Sequence, residues 1–203
     1  ILREEHSSDT EIIELFLTEA DLSLLIQHPN LMKAHRIGQY KNTYYLVMDF
    51  WQGFDLAQIL RFADEHYFRF SVEASVMIIS EVLDGLDYFH SLVGKDFKPL
   101  RLVHRDVTPQ NILISYEGDI VLIDYGAALI AAHGTATEFM AVGKLRYMAP
   151  ELLLQNQVSA QTDIFSAGVV LWEMLAGQKL FHGETEVEVQ SQIAFEKYPP
   201  PVI

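Results

Sequence analysis

Three oxygen-bearing side chains, Asp106, Asn111 and Asp124, are spaced so that one short hairpin could gather them. Residues 112–115 and 120–123 are short β-branched runs separated by Tyr116, Glu117, Gly118 and Asp119, a pattern that predicts a β-hairpin. If Ile112 pairs with Ile123, then Asn111 and Asp124 lie opposite each other at the open end, with Cβ atoms roughly 5 Å apart. An amide oxygen and a carboxylate at that spacing can share a hydrated cation, and an all-oxygen set suits Mg2+. Asp106 precedes Asn111 in a stretch where Pro109 forbids regular helix, so a compact loop can return it to the same end.

The elements that must position this group can be read on either side of it. Ser8 followed by Glu11 forms a capping-box pattern, and Ile12, Leu15, Phe16, Leu22 and Ile26 recur at helical spacing, predicting a helix over 10–26. Glu19 falls on that apolar stripe, where a carboxylate calls for a cationic partner. His28, Pro29 and Asn30 end the helix, and strand-like runs at 31–37 and 43–50, separated by the turn-prone residues 38–42, predict a second hairpin. Gly53 and Asp55 introduce a short helix to residue 65. A long helix over 71–92 follows, with Val72, Val76, Ile79, Leu83, Leu86 and Phe89 along one side. From Glu151 onward the pattern is mainly helical. This order predicts an α+β fold with a lobe boundary near 49–53.

The 203 residues are 50% hydrophobic and 21% charged, which suits a globular protein with a real core. Their net charge of -14 disfavours a nucleic-acid partner. With no cysteine there is neither a disulfide framework nor a thiolate metal site, and a reducing, cytoplasmic setting is the expectation. The apolar run at 164–175 is interrupted by Ser166 and Glu173 and is too short to span a bilayer. The chain is expected to be an internal piece of a longer protein.

His104-Arg105-Asp106 with Asn111, then Asp124-Tyr125-Gly126, then Ala149-Pro150-Glu151 resembles the signature set of the protein kinases in order and spacing. Asp163-Ile164-Phe165-Ser166-Ala167-Gly168 resembles a further family segment, and Glu19 before His28-Pro29-Asn30 resembles the glutamate of the family's C helix. The wording around Asp106 resembles the bacterial members of the eukaryotic-like Ser/Thr class. The resemblance implies a bilobal kinase-like fold. Residues 1–50 would be an incomplete N-lobe of one helix and two strands, and 51–203 a mostly helical C-lobe with a small hairpin, ending after the family's F and G helices. It also implies ATP and Mg2+ as cofactors and a protein substrate with a Ser/Thr acceptor. Asp106 would accept the hydroxyl proton, and Asn111 and Asp124 would hold the metal. The backbone of Asp49, Phe50 and Trp51 would bind the adenine edge with Met48 behind it, and Asp55 would face ribose or substrate.

Several departures accompany the resemblance. The glycine-rich loop and the strand-three lysine are not in the sequence, which opens with Ile1-Leu2 as if at the end of that strand; on this reading the piece itself is a poor enzyme. Helices after 181–183 are expected to be missing, leaving Glu151 under-satisfied. Position 108, usually lysine in Ser/Thr kinases, is Thr108, and a position usually threonine is Lys144. The expectation is that Lys144 reaches back to both Asp106 and Thr108. Thr135 and Thr137 are candidate phosphorylation sites. His104, Asp163 and Glu151 read as architectural. A non-catalytic pseudokinase scaffold is the alternative, with a small-molecule phosphotransferase ranked below it.

Overall fold

The computed structural model describes residues 9–41, 43–94, 96–125, 142–195 and 198–201. Ile1, Leu2, Ser8, Gly126, Thr135 and Thr137 lie outside the described residues. At the start of the first helix, α1 (Thr10–Leu25), the Ile12 amide donates to Asp9 Oδ1 at 3.3 Å. It packs against a hairpin of β1 (Ala34–Tyr40) and β2 (Thr43–Met48). This hairpin turns between Tyr40 and Thr43, so Gly38 sits within β1 and not in the turn. The Tyr45 ring crosses Gly38 so closely that an added Cβ would lie 2.2 Å from it, which is why glycine stands in this strand.

A three-residue strand absent from the sequence expectation, β3 (Gly53–Asp55), joins β4 (Ile112–Ser115) and β5 (Ile120–Leu122) in an antiparallel sheet ordered β3-β4-β5. Gly53 is required there, because a Cβ would meet the Ile114 carbonyl at 1.9 Å. Asp55 then starts α2 (Leu56–Glu65) through a capping box with Gln58.

The long helix α3 (Val72–Ser91) begins at Ser71, whose Oγ accepts from the Ala74 amide. Its buried stripe is Ser75, Ile78, Ile79, Val82, Gly85, Leu86 and Phe89, turned from the expected side, and Val72 and Val76 are 40% and 52% exposed. Two small residues on that stripe explain the rotation. Gly85 lets Leu31 and Asn30 approach to where a Cβ would be crowded at 3.1–3.2 Å, and Ser75 satisfies its hydroxyl on the Ser71 carbonyl.

After a 3-10 turn at Pro109–Asn111 and the β4-β5 hairpin come α4 (Val142–Leu145), α5 (Pro150–Gln155), α6 (Ala160–Ala176) and α7 (Glu186–Phe195). The helix α7 follows residues 181–183, where no further helix was expected. Core contacts run from α3 to α6 on one side and from α3 to β5 on the other, with Leu56, Phe89, Ile112, Leu122 and Val170 fully buried. That core anchors both ends of the segment carrying Asp106 and Asn111.

Candidate active site

The segment 104–108 has no regular secondary structure, and a single carboxylate fixes its course. Asp163, fully buried in α6, accepts from the His104 amide at 2.8 Å through Oδ2 and from the Arg105 amide at 2.7 Å through Oδ1. The same Oδ2 is 2.7 Å from His90 Nε2 on α3. These bonds hold Arg105 at φ 67, a left-handed conformation that a non-glycine residue keeps only when its surroundings impose it. His104 is fully buried and its Nδ1 accepts from the Asp106 amide at 3.3 Å. Burial pushes its pKa below the ordinary 6.5, against the raising pull of the Asp163, Asp106 and Asp124 carboxylates. His104 is therefore a neutral spacer, as its apolar approach suggested.

Asp106 is 5% exposed. Asn111 Nδ2 donates to the Asp106 carbonyl at 2.9 Å and to Asp106 Oδ2 at 2.7 Å. The ammonium of Lys144, on α4, reaches the same Oδ2 across 38 residues of sequence. Asp106 Oδ1 is buried and has no hydrogen-bond partner among the described residues. Half of the expected exchange between positions 108 and 144 is thus found, and half is not. Lys144 meets Asp106, while Thr108 Oγ1 is buried without a partner, although Thr108 and Lys144 line the same small cleft.

The hairpin register differs from expectation by one residue. Ile112 pairs with Leu122, not Ile123, so Asn111 faces Ile123, whose amide donates to the Asn111 carbonyl at 2.9 Å. The turn sets this: Ser115 and Asp119 close a three-residue loop in which Gly118 takes φ 94, and Ser115 Oγ accepts from the Glu117 and Asp119 amides. A one-residue slip would send Asp124 to the opposite face of a regular strand. The chain leaves the strand at that point, with Asp124 at φ 70, and its carboxylate acts electrostatically on both His104 and Glu19. Glu19 is held above the ordinary carboxylate range by burial first and by Asp124 second. Among the described residues it has no cationic partner within ion-pair distance.

Tyr125 is 3% exposed and stacks on Phe89 with ring centroids 5.5 Å apart. Its hydroxyl lies 3.2 Å from both the Met32 and Leu122 carbonyls, which supplies the partner that a tyrosine at this position requires. This bond ties the residue after Asp124 to the segment linking α1 and β1.

The residues assigned by resemblance to the nucleotide fare unevenly. Asp49 lies beside His35, Nε2 to Oδ1 2.5 Å, and its amide donates to the Lys33 carbonyl. No backbone hydrogen bond engages Phe50 or Trp51 among the described residues. Phe50 is 86% exposed, and Trp51 packs on the core. Met48 ends β2 at 50% exposure. Asp55 Oδ1 accepts from the Gln58 amide at 2.7 Å as the cap of α2.

A buried polar group escaped the sequence reading. Tyr147 donates to Glu173 Oε2 at 2.6 Å, while Lys179 reaches Glu173 Oε1 at 2.5 Å and the Tyr147 hydroxyl at 2.8 Å. No local spacing signals it, since Glu173 comes from α6 and Tyr147 and Lys179 from loops 32 residues apart.

Asp106 is thus gripped through one oxygen by an amide and an ammonium. The chain matches the protein kinase domain model over residues 1–199 and belongs to that family. It is 31% identical over 198 residues to the tyrosine-protein kinase MasK of Myxococcus xanthus, covering 96% of this chain and 30% of that protein. It is likewise 31% identical over 206 residues to the serine/threonine-protein kinase PknA of Mycobacterium tuberculosis, covering 98% and 45%. With the serine/threonine-protein kinase PrkC of Bacillus subtilis it shares 28% over 190 residues, covering 93% and 28%. The chain spans less than half the length of each of these relatives.

Proposed function

We propose that this chain is the catalytic core of a protein kinase that moves a phosphoryl group from Mg2+-bound ATP to Ser/Thr hydroxyls of protein substrates. The observation that carries the reading is the state of Asp106: Oδ2 is held by Asn111 and Lys144, and Oδ1 is left as the acceptor for a hydroxyl proton. Lys144 keeps the carboxylate oriented and places a cation where negative charge develops on the transferred group. Thr108 Oγ1, buried and unpaired, is a donor available to the same group.

Asn111 and Asp124 would hold the metal. Their donors fit it: Asn111 Nδ2 faces Asp106, leaving its amide oxygen, and Asp124 and Glu19 form a concentration of negative charge that a cation relieves. Among the described residues no group of three or more His, Cys, Asp and Glu side chains could enclose a metal. When bound, Mg2+ neutralises phosphate charge. The unbonded backbone at Phe50 and Trp51 would meet the adenine edge, and the lobe boundary would fall there. A cytoplasmic setting belongs to the same reading, because ATP is the donor. No helix among the described residues is long and apolar enough to cross a membrane.

The test is transfer of label from γ-labelled ATP by the complete protein, followed by identification of the labelled residue. Mg2+-dependent label on Ser or Thr supports the reading. Label on Tyr would move the chain to the class named for MasK, and ATP-independent partner binding without label would favour the scaffold alternative.

A further inference from the structure

A cavity of about 430 Å³ lies outside the residues assigned above. It opens between α2, the segment following α2, the 3-10 turn and the C-terminal end of α6. Its floor includes Gln110, the neighbour of Asn111, whose amide holds Asp106. Three cations line it, Arg61, Arg69 and Lys179, with two carboxylates, Asp64 and Glu173. The formal balance of these five is +1, in a chain whose net charge is -14.

The arrangement of partners widens that difference. Both oxygens of Glu173 are already taken, by the Tyr147 hydroxyl and by Lys179, and Glu173 is 4% exposed, so it has no capacity to receive a further cation. Arg69 donates one N–H to the Gly177 carbonyl at 2.9 Å, which satisfies the end of α6 and leaves the rest of its guanidinium unengaged among the described residues. Arg61 is exposed and has no carboxylate within ion-pair distance among the described residues. Asp64 alone offsets the two guanidinium groups. An arginine fork over partly apolar walls favours a planar carboxylate, and the Gln110 amide adds a neutral donor at the floor.

We propose that this cavity recognises an acidic side chain of the protein substrate close in sequence to the hydroxyl that is phosphorylated. The proposal rests on the protein kinase reading, in which the acceptor hydroxyl would meet Asp106, a residue tied to the neighbour of Gln110 through the Asn111 amide. Arg61 is the specificity-determining group, Arg69 its partner, and Lys179 the cation that silences Glu173.

The experiment uses the complete protein and a set of Ser/Thr peptides carrying Glu, Ala or Lys at each position flanking the acceptor. Peptide binding is measured without nucleotide on Asp106→Asn, and kcat/KM is measured with Mg2+ and ATP on the active protein. Glu at one fixed position is expected to improve both binding and kcat/KM by about tenfold over Lys, mainly through KM. Arg61→Glu should abolish or invert that preference, Arg61→Lys should keep part of it, and the Ala peptide should be unaffected by either. Equal use of Glu and Lys peptides, or an Arg61→Glu effect that is the same for all peptides, overturns the proposal. Phosphorylation without charge preference defeats the cavity assignment alone. Selective binding of Glu peptides through Arg61 with no phosphorylation of any peptide defeats the kinase reading and leaves the cavity assignment standing.

Discussion

The two sides of the candidate site are built differently. On the Asp106 side the backbone and one carboxylate oxygen are fixed by protein: Asp163 holds two backbone amides, Asn111 and Lys144 hold Oδ2, and Asp106 Oδ1 and Thr108 Oγ1 are left buried without partners among the described residues. On the Asp124 side an exposed carboxylate leaves the hairpin at φ 70 and acts electrostatically on Glu19, whose pKa burial and this like charge raise. The difference teaches that the proposed proton acceptor is preorganised by the fold, whereas the proposed metal side would be completed by what binds there. Rigidity is supplied where geometry must be fixed before substrate arrives.

The largest expected effect separates the two sides directly. Asp163→Ala removes the acceptor for the His104 and Arg105 amides and should cost about 3–5 kcal/mol in a urea titration, because buried donors are left unpaired. Asp124→Asn keeps a residue tolerant of the left-handed region and should cost within about 0.5 kcal/mol while weakening Mg2+-dependent nucleotide binding. Equal stability losses would break the comparison. Lys144→Met comes next: kcat of the complete protein should fall by about a hundredfold with little change in folding stability, and near-normal turnover would remove Lys144 from the chemistry.

His104 sharpens the same contrast through pH. The folded state keeps its imidazole neutral, whereas the unfolded chain protonates it below about pH 6.5, so its contribution is complete above that pH and is lost as pH falls toward the depressed folded value. Urea midpoints between pH 8 and pH 5 should decline less steeply in His104→Leu than in the parent protein. The smallest effect belongs to Tyr125→Phe, which removes the hydroxyl contact to the Met32 and Leu122 carbonyls and should cost about 1 kcal/mol. Its turnover should stay within about twofold of the parent.

The helices were legible because their caps and spacings are local, as at Ser71 and Asp55, and so was the grouping of Asp106 with Asn111. What escaped was decided elsewhere. The register of β4 and β5 turned on whether Asp119 belongs to the loop or closes it, a matter of Gly118 geometry that the strand composition does not encode. The buried face of α3 was set by where Leu31 and Asn30 pack on Gly85. Asp55 was assigned a ligand although its local sequence already offered Gln58 three residues on, a capping pattern that is the simpler reading. The Tyr147, Glu173 and Lys179 cluster joins distant segments and carries no periodic signature.

The central claim is that Asp106 Oδ1 takes the proton of the acceptor hydroxyl in a site the protein has already organised. The decisive measurement is the steady-state rate of phosphoryl transfer by the complete protein carrying Asp106→Asn, with KM for ATP determined alongside. A fall in kcat of about a hundredfold or more with KM for ATP nearly unchanged is the predicted result. Transfer at close to the parent rate would contradict it.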